Sequence, residues 1–284
     1  MLHKLENSGL PIYRDDETGK LALEAPLTYK GFAEKTLSQM KGLFADDSGN
    51  DPNENIYDVY RGIMDPKDEE LFQTYDYQYD ITVVKSGNVG MERKKTSGHY
   101  HSYNEMRTYT IPEVYEVLEG TALFVLQRAD NFEDTDYENL DVSDLIIARV
   151  EAGQAIIVPP NYGHCSVNGG EGDLIFSNLA YVPCRIDYAP VQYYHGLGVY
   201  VDVHENEIQT IVNGYYNKLP KAKLATVKEN AALGILFHHP VYQEFKKRPE
   251  AFTFLGNVDA YVEDIMSMPV SYTHLRAHET AANL

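Results

Sequence analysis

The chain has 284 residues, 43% of them hydrophobic, enough for one large domain with extensions and a sizeable buried core. It carries 24 basic against 43 acidic residues, and the resulting charge of −19 argues against nucleic acid or an anionic membrane as partner. No apolar run is long enough to span a membrane, the first residues lack the apolar stretch of a signal peptide, and Cys165 and Cys184 make no disulfide framework, so a cytoplasmic setting is expected.

Residues 1–30 read as an extended arm with turn signals, LENSGLP and RDDETGK. In 31–44, GFAEKTLSQMKGLF, the spacing of Phe32, Leu37, Met40 and Phe44 predicts a helical face. The acidic stretch ADDSGNDPNEN (45–55) is a loop, and Ile56–Met64 alternates like a strand. Asp65-Pro66 predicts a short helix over DPKDEELFQ, with Asp as N-cap and Pro at the first helical position.

From Tyr77 the pattern changes to short strands at close intervals: YDITVVK, KKTSGHYH, EVYEVLEGTALFVLQ, SDLIIARV, QAIIVPP, CSVN and LIFSNLAYV. Gly- and Asn-containing turns separate them, the signature of a β-sandwich or barrel. Residues 129–143 form an acidic loop, and Val199–Ile211 reads as another hairpin. The region 218–266 is mixed, with a helix over 241–248 ended by Pro249. The last fifteen residues, VSYTHLRAHETAANL, continue no pattern and resemble translated adapter sequence, so His274 and His278 are left out of the site. The expected division is an arm with helices at 1–76, an all-β barrel at 77–198, a mixed extension at 199–268 and a disordered or artefactual tail at 269–284.

Candidate chemistry concentrates in TSGHYHSYNEMRTYTIPEVYEVLEG, residues 96–120. On a strand, His99 and His101 point to the same side. Glu113 opens a second strand, and His164 arrives 51 residues after it in GQAIIVPPNYGHCSVN. Three imidazoles and a carboxylate on neighbouring strands would make a divalent-metal site suited to iron, manganese, nickel or zinc. Glu105 is a rival carboxylate, whereas Glu116 and Glu119 belong on the outer face or at the turn. Cys165 faces away from His164 and reads as a packed thiol. A lone strand histidine is more often structural; it is the combination that points to a metal.

The first constellation is H-x-H, an eleven-residue gap, then E-x6-G; the second is G-x5-P-x-N-x2-H-x3-N, from Gly153 to Asn168. Together they resemble the paired motifs of the cupin superfamily, which implies a double-stranded β-helix or jelly roll. Asn161 stands where the pattern has Gly, and Asn also tolerates a left-handed turn. The strings DITVV, KTSGHYH, PEVYEVLEG, VPPNYGHCSVN and Ala180-Tyr181 are similar to the cupin-type glucose-6-phosphate isomerases over roughly residues 55–190, with SYNEMRTYTIP carrying an insertion. That family's Glu of an E-V-Y triplet favours Glu113 over Glu105.

The resemblance implies further roles. Thr82 and Thr96 match positions that hold the sugar phosphate, and Gly98 matches a glycine whose backbone approaches it. Tyr181 and Tyr188 match tyrosines at the substrate end of the barrel. Archaeal members carry G-H-D-Y where this chain has Arg185-Ile186-Asp187-Tyr188, so a phosphate-side His is missing and Arg185 is the expected substitute. The implied activity is interconversion of glucose 6-phosphate and fructose 6-phosphate, with one divalent metal per chain, iron(II) first. Glu113 serves as base or metal ligand, Tyr115 and Tyr181 as catalytic partners, and the chain forms a homodimer. Proton transfer through an enediol and a direct hydride shift both stay open. The alternatives are an isomerase of mannose phosphate or a pentose, a cupin dioxygenase, and a non-catalytic sugar-binding cupin.

Overall fold

A computed structural model describes residues 1–133, 137–205 and 207–266, together with the backbone of His278–Thr280. The tail expectation at 269–284 otherwise lies outside the described residues. Strands β1 (Leu2–Lys4), β2 (Ile12–Asp15) and β3 (Leu21–Leu23) form a small meander from the N-terminal arm. Strands β4 (Gly31–Thr36) and β5 (Asn55–Arg61) follow, then helix α1 (Glu69–Tyr75) and β6 (Tyr77–Val84).

The helix expected over 31–44 is instead a strand followed by a single 3-10 turn, Leu37–Met40. Pairing with β5 supplies the backbone partners of Gly31–Thr36. The Thr36–Gln39 capping box then converts the strand end into a turn. Leu37, Met40 and Phe44 are buried as a helical face would bury them, but Phe32 is 43% exposed.

The stretch KKTSGHYH is also not one strand. Only its end forms a strand, β9 (Tyr100–His101); β8 (Glu92–Arg93), which pairs with β7 (Asn88–Val89), stops before it, and Lys95 and His99 make single bridges to Val167 and His164 on either side of Gly98, which takes φ +78°. The remaining core strands are β10 (Glu113–Glu119), β11 (Thr121–Ala129), β12 (Val142–Glu151), β13 (Ala155–Val158), β14 (Tyr162–Asn168) and β15 (Leu174–Tyr181).

Two sheets result. One runs β13-β10-β15-β6 and is extended by β5 and β4; the other runs β14-β11-β12. Strand β9 lies beside β14, joined through the His99–His164 bridge. Eight strands from β6 through β15, less the β7–β8 ribbon, therefore close in jelly-roll order. Phe124 and Phe176 meet between the sheets with Tyr115 beside them, whereas Val125 and Ile147 are buried on the opposite face of the second sheet. After β15 come β16 (Ile186–Asp187), α2 (Ala189–Tyr193), and the hairpin β17 (Val199–His204) with β18 (Glu207–Val212). Strand β19 (Lys223–Thr226) joins the second sheet in parallel beside β12. Flanking segments from both ends are thus built into the sheets.

A second apolar cluster covers the outer face of the larger sheet. Helix α3 (Val241–Lys247) and the 3-10 segment Pro249–Leu255 press Tyr242, Phe245, Phe252 and Phe254 onto Tyr77, Tyr79 and Ile81. Glu116 does point to this outer face, but it is buried there. It accepts from the Val241 backbone N–H at 3.0 Å, and burial pushes its carboxyl up to about 8. The Tyr242 hydroxyl donates to Asp68 Oδ2 at 2.9 Å and accepts from the Asp65 N–H at 3.1 Å. Tyr242→Phe leaves that buried N–H unpaired, so a loss of about 1–3 kcal/mol in urea unfolding is expected.

The N-terminal arm packs Leu5, Leu10 and Ile12 into this second cluster, and charge adds to its hold. His3 Nε2 and Nδ1 lie 2.6 Å from Glu119 Oε2 and 3.1 Å from Asp16 Oδ1, so only the doubly protonated ring donates to both. Hydrogen bonds to Asp16 and Glu119 raise His3 above its ordinary 6.5. Its contribution is fully present below that ordinary value and is lost as pH rises through the raised one. Amide exchange of β1 and β2 should accelerate across that window in the native chain and lose this step in His3→Gln.

Candidate metal centre and cavity

Strand pairing carries the site residues to one place. Antiparallel bonds run both ways between His99 and His164, N–H to O at 3.1 and 2.9 Å, which sets their imidazoles side by side. His101 follows two residues on, and Glu113 and Tyr115 share the inner face of β10. One ligand atom from each of His99, His101, Glu113 and His164 falls within 4.8 Å of the others. Glu105 is exposed in the inserted loop, away from this cluster. That loop is tied instead to the C-terminal extension, where Asn104 and Thr108 both bond Asp259.

The hydrogen bonds define proton positions. The His101 Nδ1–H must donate to the Ile111 carbonyl, at 2.8 Å, since a carbonyl only accepts. Its Nε2 then turns a lone pair toward Glu113 Oε2, 3.1 Å away, unless a proton or cation lies between them. Burial, followed by repulsion from neighbouring charge, holds His99 and His164 well below the ordinary imidazole value. Both are therefore neutral, the form that ligates metal. Burial opposes charge on His101 too, but hydrogen bonds to Cys184 and Glu113 outweigh it and raise this ring well above the ordinary value. A divalent cation held by this buried N3O set would take the place of the proton between His101 Nε2 and Glu113.

Glu113 is fixed from two sides: Asn178 Nδ2 donates to Oε1 at 2.7 Å and the Tyr115 hydroxyl to Oε2 at 2.8 Å. Tyr115 Oη also lies 2.9 Å from His164 Nε2. Above this cluster opens a cavity of about 260 Å³. Thr82, Thr96, Tyr181 and Tyr188 line it, with the Tyr188 ring edge-on to His99 at 5.5 Å between centroids.

Two residues predicted for the phosphate are elsewhere. Arg185 is exposed outside the lining, because pairing of β16 with β9 puts Ile186, itself exposed, at the cavity's edge and its neighbour on the other side. Gly98 does not line the cavity either. A Cβ there would meet Cys165 Cβ at 3.3 Å and Val191 Cγ1 at 3.5 Å, so packing and its left-handed backbone call for glycine. Cys165 is a packed thiol as expected, pushed by burial up to about 12, whereas Cys184 lines the cavity. Sequence reasoning missed Tyr57, Arg61, Gln78, Asp80 and Asn178, all in the lining. Stepping back by two from Thr82 along β6 reaches Asp80 and Gln78, and alternation along β5 reaches Arg61.

The chain is 27% identical to a glucose-6-phosphate isomerase of Thermococcus litoralis over 55% of this chain and 73% of that one. It is 26% identical to a glucose-6-phosphate isomerase of Pyrococcus furiosus over 65% of this chain and 87% of the relative. Among solved structures, an oxalate oxidase aligns with TM-score 0.33 and 17% identity, covering 54% of this chain and 67% of that one. A hazelnut vicilin aligns with TM-score 0.32 and 14% identity, covering 46% and 32%. The family profile described as Glucose-6-phosphate isomerase (GPI) matches residues 34–218, more than half of the sequence, and the chain belongs to that family.

Proposed function

We propose that this chain is a metal-dependent aldose–ketose isomerase interconverting glucose 6-phosphate and fructose 6-phosphate. The observation that carries the reading is the convergence of His99, His101, Glu113 and His164 beneath a polar cavity, in a chain of this family. These four residues would hold one divalent ion, iron(II) first. When bound, such an ion polarises the sugar's carbonyl and hydroxyl oxygens.

The protein's own groups supply the rest. Isomerisation of the open-chain aldose breaks C2–H, forms C1–H and moves the O2 proton to O1. Glu113 is the base for the carbon-bound proton, aimed by Asn178 and Tyr115. Tyr115, with its single hydroxyl proton between Glu113 and His164, relays the oxygen-bound proton, and Tyr181 closes the opposite wall. Thr82, Thr96 and Tyr188 offer hydroxyls to the distal part of the sugar phosphate. Gly98, expected at the phosphate by the resemblance, and Arg185, expected to replace the family's missing His, both lie outside the cavity lining and take no part.

No helix among the described residues is long and apolar enough to cross a membrane. The reading places the enzyme in the cytoplasm as a homodimer, so light scattering should give about twice the 32.2 kDa of one chain. A coupled assay tests the activity: fructose 6-phosphate should be turned over and free fructose far more slowly. Equal turnover of the two would point to a free-sugar isomerase instead.

A further inference from the structure

Four polar side chains form a row across the larger sheet. Registers pair Tyr115 with Asn178 and Asn178 with Asp80, and the next step across β6 and β5 brings Asp80 to Arg61. The row begins at the metal-ligand cluster and ends at the cavity rim. Arg61 is the one permanently cationic side chain among the described residues that line the cavity. Its Nη1 lies 3.5 Å from Asp80 Oδ2. Asp80 is itself anchored through Oδ1, which accepts from the Gly62 N–H at 2.7 Å and from Gln78 Nε2 at 2.9 Å. The brace is therefore fixed, while the Arg61 side chain is 51% exposed and its guanidinium keeps most of its donors for an incoming group. The charge of Arg61 reaches Tyr57, Tyr188 and His99.

We propose that Arg61, positioned by Asp80, binds the terminal phosphate of the substrate and sets the preference for phosphorylated over free sugars. This rests on the isomerase reading and deepens it. The cavity holds two carboxylates, Glu113 and Asp80, so a dianionic substrate entering it needs a cation at the rim. A planar guanidinium meets two phosphate oxygens at once, which an ammonium does not. With Ile186 apolar and Arg185 outside, no other Arg or Lys among the described lining residues supplies that charge.

The test compares wild type with Arg61→Met, Arg61→Lys and Asp80→Asn, using fructose 6-phosphate, free fructose and inorganic phosphate. Arg61→Met should raise KM for fructose 6-phosphate roughly tenfold to a hundredfold, with kcat falling far less. Turnover of free fructose should be spared, and competitive inhibition by phosphate should weaken in parallel. Arg61→Lys should recover part of the loss, and Asp80→Asn should raise KM less than Arg61→Met does. An active Arg61→Met with unchanged KM and unchanged phosphate inhibition overturns the assignment and leaves the isomerase reading standing. Should wild type prove inactive on fructose 6-phosphate, the isomerase reading fails. Calorimetric phosphate binding to wild type against Arg61→Met then still decides the Arg61 site.

Discussion

His164→Ala should lose more than about a hundredfold in isomerase rate, because it removes a first ligand where even a supporting residue is worth ten- to a hundredfold. The strand around it should survive. His164 keeps its antiparallel backbone bonds to His99, and β14 remains paired along its length with β11. Far-ultraviolet dichroism should therefore match wild type. Metal content separates a lost ligand from a damaged fold: elemental analysis should give one ion per wild-type chain and well under one per variant. A variant that is inactive yet fully loaded would mean that His164 acts on substrate and not on the ion.

Glu113→Gln is the second large effect. The amide keeps an oxygen for Asn178 but replaces the anionic Oε2 that now accepts from Tyr115 and faces His101. A positioned base contributes typically 10²–10⁴-fold, so kcat should fall on that scale, with KM moving much less. Running the reaction in D2O adds a sign that packing changes would not mimic. Proton transfer through Glu113 exchanges with solvent, so deuterium should appear at C1 of fructose 6-phosphate. Product free of deuterium would exclude a solvent-exchanging base and favour a direct hydride shift. Tyr115→Phe should cost less, because Asn178 still holds the carboxylate.

Much of this was readable from residues. Strands from Tyr77 to Tyr181 followed from β-branched runs and turn glycines, and Asn161 takes the left-handed φ of +68° expected where the motif has glycine. The four converging side chains were readable because pairing register turns a sequence spacing into a spatial one. What escaped depended on partners far away in sequence. Nothing local in GFAEKT announces that β5 will pair with it, and its apolar spacing serves a helix as well as a strand with a terminal turn. One residue of alternation at the start of β16 puts Ile186, and not Arg185, on the cavity side. Arg61 carries no motif at all; only its register opposite Asp80 places it at the cavity. Gly98 was readable as a required glycine, but the requirement comes from φ +78° and the packing of Cys165 and Val191.

The most direct measurement is a coupled assay on fructose 6-phosphate after full chelation, followed by return of single metals. A metal-dependent mechanism requires activity to collapse on chelation and to come back with iron(II) at one equivalent per chain, with manganese, nickel or zinc restoring different fractions. Undiminished isomerase activity in the metal-free chain would contradict it, since His99, His101, Glu113 and His164 would then hold nothing the reaction needs.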